Sequence, residues 1–158
     1  MKSFLLFILI WPFLLSHTFD CNEKLPLNEQ IITFVNLKMN KKVGTGECWD
    51  LANEALNLVK AKWDGNLVYG KKLDFKKDCI YPGDIIQFEK IKVKYIEGNQ
   101  EYRETMPHHT AIVYQVNGIG DYVLAHQNTA YTGKKVGTSK LEIKNITGGK
   151  FIIYRPIQ

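Results

Sequence analysis

The stretch Gly44-Thr45-Gly46-Glu47-Cys48-Trp49-Asp50-Leu51 is a glycine-punctuated loop that runs straight into an amphipathic segment, with a cysteine at the junction. Leu51, Ala52, Ala55, Leu56, Val59 and Trp63 follow the i, i+3, i+4 spacing of a buried helical stripe, and Cys48 lies on that same stripe. The pattern predicts a helix from about Glu47 to Lys62, ended by Asp64-Gly65-Asn66, with Thr45 as N-cap and Cys48 near the third helical position. The first turn of a helix offers free N–H groups and the positive end of the macrodipole. Both favour a thiolate, the form in which cysteine attacks. Cys48 is therefore a candidate nucleophile. The competing reading is a small core residue, since free cysteine is among the most buried residue types.

The chain of 158 residues has the length of one domain once a leader is removed. Lys2 followed by the apolar run Phe4 to Leu15 reads as a signal peptide, because a spanning helix needs about 20 apolar residues. We expect a leader over residues 1–20, a mature domain over 21–158, export to a periplasmic or extracellular space, and no stable membrane span after leader removal. Three cysteines, Cys21, Cys48 and Cys79, then enter an oxidising compartment, and an odd number suggests one free thiol. Pairing Cys21 with Cys79 would leave Cys48 as that thiol.

The net charge of +5 makes the surface mildly basic, which suits an anionic polymer without selecting one. Lysines cluster at 71, 72, 76 and 77 and at 90, 92 and 94 with no aromatic RNA-binding motif beside them. They read as solvated edges, so no nucleic-acid partner is expected, and the domain is expected to be a monomer.

After Pro26, Asn28 can cap a helix carrying Ile31, Ile32, Phe34, Val35 and Met39 and ending near Asn40. From Leu67 the pattern turns to strands. Three hairpins are predicted: Ile85–Ile96 with Tyr102–Met106 around Glu97-Gly98-Asn99-Gln100; His109–Val116 with Asp121–Asn128 around Asn117-Gly118-Ile119-Gly120; and Leu141–Ile146 with Phe151–Tyr154 around Thr147-Gly148-Gly149. Helices first and hairpins afterwards give an α+β fold with N-terminal helices packed on a central antiparallel sheet.

A nucleophilic cysteine needs a base within reach and a group that orients the base. His108 and His109 point to opposite faces if both lie in a strand, and His109, which opens the apolar run Ala111-Ile112-Val113, is the better base. With a four-residue loop at Asn117–Gly120, His109 sits opposite Asn128 and diagonal to His126, so either can be the orienter. A slip of one residue would bring Gln127 to that face instead. Trp49 and His108 are further candidates for substrate contact. Zinc held by Cys48, His109 and His126 is a weaker alternative, because no local ligand spacing such as HxH or HExxH is present. We expect neither a metal nor a cofactor.

Cys48-Trp49-Asp50-Leu51-Ala52 opening a helix, then Pro82-Gly83-Asp84-Ile85-Ile86-Gln87-Phe88, then His109-Thr110-Ala111-Ile112-Val113 resemble, in that order, the motifs of the NlpC-type and CHAP-type papain-like cysteine peptidases and amidases. The resemblance spans about Gly44 to Asn128. It implies a papain-like fold with Cys48 as nucleophile, His109 as base and His126 as third residue, acting on peptide or amide bonds. The substrate it implies is a cell-wall peptide or muropeptide of peptidoglycan. The rival expectation is a catalytically silent, secreted binding domain on the same fold. Pro-Gly-Asp also has a physical reading: a turn whose carboxylate bonds local N–H groups as the chain enters the central strand. Asn145-Ile146-Thr147 is a glycosylation sequon.

Overall fold

The computed structural model describes residues 21–158, so the expected leader lies outside the described residues. Two helices lead. The first, α1 (Pro26–Lys38), starts with Pro26 in its first turn, where a missing N–H costs nothing, and buries Ile31, Phe34 and Val35. Asn28 is not its cap. It lies inside the helix and is buried, and its amide donates to the Pro82 carbonyl and to Asp84 Oδ1, both at 2.9 Å. The helix stops before Asn40 because Met39 turns extended and pairs in parallel with Val136.

The second, α2 (Asp50–Leu58), is shorter at both ends than its periodicity predicts, and it buries Leu51, Ala52, Ala55 and Leu56. At its start one carboxylate oxygen wins over helix geometry: Asp50 Oδ2 accepts from the N–H groups of Thr45, Gly46 and Glu47 and from the Thr45 hydroxyl at 2.8–3.0 Å. Thr45 is thus bound by Asp50 rather than capping the helix. A Cβ on Gly44 would fall 2.8 Å from that carboxyl, which explains the glycine. At the other end Lys60 adopts a φ of 54° and the Ala61 N–H returns to the Leu56 carbonyl, closing the helix.

Six strands follow: β1 (Lys71–Leu73), β2 (Ile85–Glu97), β3 (Gln100–Gly118), β4 (Asp121–His126), β5 (Gly137–Glu142) and β6 (Ile146–Arg155). They form one antiparallel sheet in the order β1-β6-β2-β3-β4-β5. The first expected hairpin is present with a tighter turn, Glu97 facing Gln100, and its return strand continues through Pro107 and His108 into the histidine strand. The second is present with Gly118 facing Asp121; two bulges then restore the expected register, so Ile112 faces Ala125.

The third expected hairpin does not exist. Its two arms part after a short 3-10 turn at Ile143–Asn145, where β5 takes one edge of the sheet and β6 lies between β1 and β2. Thr147-Gly148-Gly149 lies within β6, whose residues Lys150 to Tyr154 pair with β2. That jump fixes the shape of the sheet. Four strand spacings would separate β5 from β6 by about 19 Å in a flat sheet, whereas the chain from Glu142 to Ile146 reaches only about 14 Å. The sheet must therefore curl.

The curl separates two cores. Ile85, Ile112, Ala125 and Tyr154 face the helices and pack with Leu51, Ala55, Leu56, Ile31 and Val35. Ile86, Phe88, Ala111, Val113, Leu124, Leu141 and Ile153 face the inside, in a core that contains no helical residue. Burial of this kind stabilises by roughly 25 cal/mol per Å² of apolar surface. A Cys21–Cys79 disulfide, with an S–S distance of 1.99 Å, ties the segment before α1 to the loop before β2 and leaves Cys48 as the free cysteine of the described residues. Beside it, Asp84 accepts from the Tyr81 N–H at 2.9 Å, as the Pro-Gly-Asp reading anticipates, and pairs with the Arg155 guanidinium at 2.9 Å. Burial pushes the Asp84 carboxyl up, while Arg155 and Asn28 pull it back toward the ionised form.

Candidate active site

Cys48 stands in the turn just before α2, closed by the Asp50 N–H on the Glu47 carbonyl at 3.1 Å, and not inside the helix. The thiol is half-buried. Burial pushes it up from the ordinary cysteine value, more than the backbone groups of Thr110 and Trp49 that hydrogen-bond the sulfur pull it down. The resting group is therefore a thiol. The expected thiolate fails because the helix begins two residues beyond the cysteine and because desolvation outweighs the nearby amides.

His109 lies on β3 on the inward face, stacked over Phe88 with ring centroids 6.3 Å apart. Its Nε2 is 2.9 Å from Nδ1 of His126 at the end of β4, and the ring planes are inclined by 78°. Burial brings His109 down to about 4; burial and then the neighbouring His109 bring His126 down to about 3. Both rings are neutral near pH 7, so one donates to the other. If His109 Nε2–H donates, its Nδ1 carries a free lone pair.

Cys48, His109, His126 and Asn128 line one cavity of about 1230 Å³ on the concave side of the sheet. No side-chain hydrogen bond joins Cys48 to His109 among the described residues. The neighbour of His109 is His126 and not Asn128, whose amide donates to Glu47 Oε2 at 2.8 Å. Gln127 is fully buried and turned toward the cysteine loop: it accepts from the Val43 N–H and donates to the carbonyls of Val43 and Glu47. His108 points away from His109, as strand alternation requires, and pairs with Glu89 at 2.8 Å on the surface. Trp49 flanks α2 and is 39% exposed. The described residues contain no group of three or more His, Cys, Asp or Glu placed to hold a metal ion, and no helix among them is long and apolar enough to cross a membrane.

Sequence reasoning misses two supports of this site. One is the Asp50 carboxylate, signalled only by a carboxylate just after a Gly-x-Gly loop. The other is a buried polar group behind the thiol, in which the Thr110 hydroxyl donates to Gln87 Oε1 at 2.6 Å and lies 3.1 Å from the Tyr69 hydroxyl. A glutamine inside the apolar run Ile85-Ile86-Gln87-Phe88 was its signal.

A free cysteine ahead of a sheet-packed helix, a histidine pair on adjoining strands, and a curled antiparallel sheet fit a cysteine-proteinase fold. The chain belongs to the family of the AIM3/BBC1 cysteine proteinase-fold domain, whose sequence profile matches residues 24–158. It is similar to the altered inheritance of mitochondria protein 3 of Debaryomyces hansenii, 27% identical over 150 residues that cover 82% of this chain and 16% of that protein. The chain thus spans about a sixth of that relative's length. Two solved structures are also similar to it, each with a TM-score of 0.47: the crystal structure of Ly7917, at 14% identity over 80% of this chain and 62% of that one, and Ly7917 with the hydrolyzing product of MDP, at 18% over 82% and 63%.

Proposed function

We propose that the domain is a thiol hydrolase that cleaves a peptide or amide bond with Cys48 as nucleophile, His109 as general base and His126 as the group that holds the imidazole. The observation that carries this reading is the 2.9 Å His109–His126 hydrogen bond in the cavity that also exposes Cys48. Because thiol and imidazole are both neutral at rest, the proton leaves as attack proceeds. The Cys48 sulfur adds to the carbonyl carbon while its proton passes to His109 Nδ1, and the C–N bond then breaks as His109 returns that proton to the leaving amine. Water, deprotonated by His109, attacks the thioester and releases the acid and the thiol. The Cys48 N–H is the candidate oxyanion donor.

The apolar leader and the Cys21–Cys79 bond support export to an oxidising compartment. The ordered motifs shared with NlpC-type and CHAP-type enzymes support a muropeptide amide as the first substrate to assay. The raised thiol favours a second reading, a binding domain without turnover. The test is hydrolysis of muropeptides and of a blocked peptide mixture by wild type, Cys48→Ala and His109→Ala. Turnover by wild type lost in both variants supports the proposal, and equal turnover in wild type and Cys48→Ala sinks it.

A further inference from the structure

The β2–β3 hairpin extends beyond the rest of the sheet. β2 pairs with β3 from Gln100 to Ile112, whereas β4 pairs with it only from Ile112 to Gly118. The segment Arg103–His109 therefore has no strand on its other side among the described residues, and every residue of it lines the cavity that holds Cys48 and His126. Side chains alternate across a strand, so a wall built of consecutive residues is a strand seen edge-on, with unpaired backbone groups turned to the cavity.

This edge runs directly into the site. Its last residue is His109, and the next, Thr110, hydrogen-bonds the Cys48 sulfur through its backbone. Toward the tip of the hairpin Tyr131 also lines the cavity, its hydroxyl 3.4 Å from that of Tyr95. The volume of about 1230 Å³ exceeds the roughly 300–1,000 Å³ of small-molecule pockets. From Thr105 to His109 the edge is about 13 Å long, enough for a short extended segment.

Resting on the hydrolase reading above, we infer that the substrate is an extended polypeptide that adds as a strand to the Thr105–His109 edge of β3, which delivers its scissile carbonyl to Cys48. Main-chain pairing supplies the affinity, and the tyrosine pair limits how much chain fits on that side of the cut.

The test uses the full Cys48→Ala protein with a mixture of blocked random octapeptides, read by amide hydrogen exchange, beside the same mixture N-methylated along its backbone. The peptides are expected to slow exchange of the amides between Arg103 and His109, and N-methylation to weaken binding about tenfold or more. Protection at Thr138–Glu142 instead, or binding that protects neither edge, overturns the inference. In the active protein, exposed Tyr131→Ala is expected to raise turnover of long peptides relative to short ones; an unchanged length preference overturns the role given to Tyr131. Protection of the β3 edge without turnover by wild type would remove the hydrolase reading and leave strand addition standing. Turnover indifferent to N-methylation would do the reverse.

Discussion

Gln127 and Val43 are joined as two strands would be: the side-chain amide of one accepts the N–H of the other at 3.1 Å and donates to its carbonyl at 2.9 Å. A third bond, 2.8 Å to the Glu47 carbonyl, carries the clamp to the residue before Cys48. The residue that follows His126 thus sets the loop that presents the thiol. Gln127→Leu keeps the bulk but leaves the buried Val43 N–H without a partner and removes one of the two donors from each of the Val43 and Glu47 carbonyls, so it is expected to cost about 2 kcal/mol in urea unfolding. It is also expected to lower kcat more than it raises KM, because cysteine loop and histidine pair lose their common register. Unchanged kinetics in a folded variant would contradict the clamp.

The histidine pair gives the fold a pH dependence of known sign. His109 is held at about 4 and His126 at about 3, below the ordinary 6.5. Between those values the unfolded chain binds protons that the native state refuses, so stability rises with pH. The contribution is complete above about pH 6.5 and is lost as the pH falls toward 4 and then 3, with about 3 kcal/mol from His109 alone. Unfolding free energies at about pH 7, 5 and 4 should fall in that order, and His126→Asn should flatten the fall. A flat wild-type profile would contradict two buried neutral rings.

The buried thiol predicts a distinct chemistry. In the oxidised protein iodoacetamide should modify Cys48 alone, with a rate that climbs to a midpoint above the ordinary value of 9.0. Rapid alkylation well below pH 8 would instead reveal a preformed thiolate.

The Cys21–Cys79 bridge closes a loop of 58 residues. By loop-closure entropy it contributes up to about 4 kcal/mol. Cys21→Ala with Cys79→Ala should lower the melting temperature while hydrolysis persists below it. Loss of activity in a fully folded double variant would show that the bridge does more than hold the chain.

Much of the fold and the candidate site was legible in the sequence. Helical spacing located both helices, and strand alternation separated His109 from His108. The register near Ile112 also came out as expected, although by a tighter turn and two bulges. What stayed hidden was non-local. Nothing near Thr147-Gly148-Gly149 shows that its strand pairs with β2 and not with β5, because turn-forming residues look alike inside a twisted strand. The helix start was misread because propensity counts residues along the chain, whereas Asp50 folds its carboxylate back onto Thr45–Glu47. The thiol was misjudged because its burial depends on Thr110 and the elements around it.

The most direct test of the central claim is an acid quench of wild-type protein during turnover of the blocked peptide mixture, followed by mass spectrometry of the fragment containing Cys48. An acyl group, equal in mass to the N-terminal part of the cleaved peptide, is expected on Cys48 as a thioester and is expected to be absent in His109→Ala. Hydrolysis that proceeds at the same rate with Cys48 replaced by Ala, leaving no acylated fragment, would contradict it.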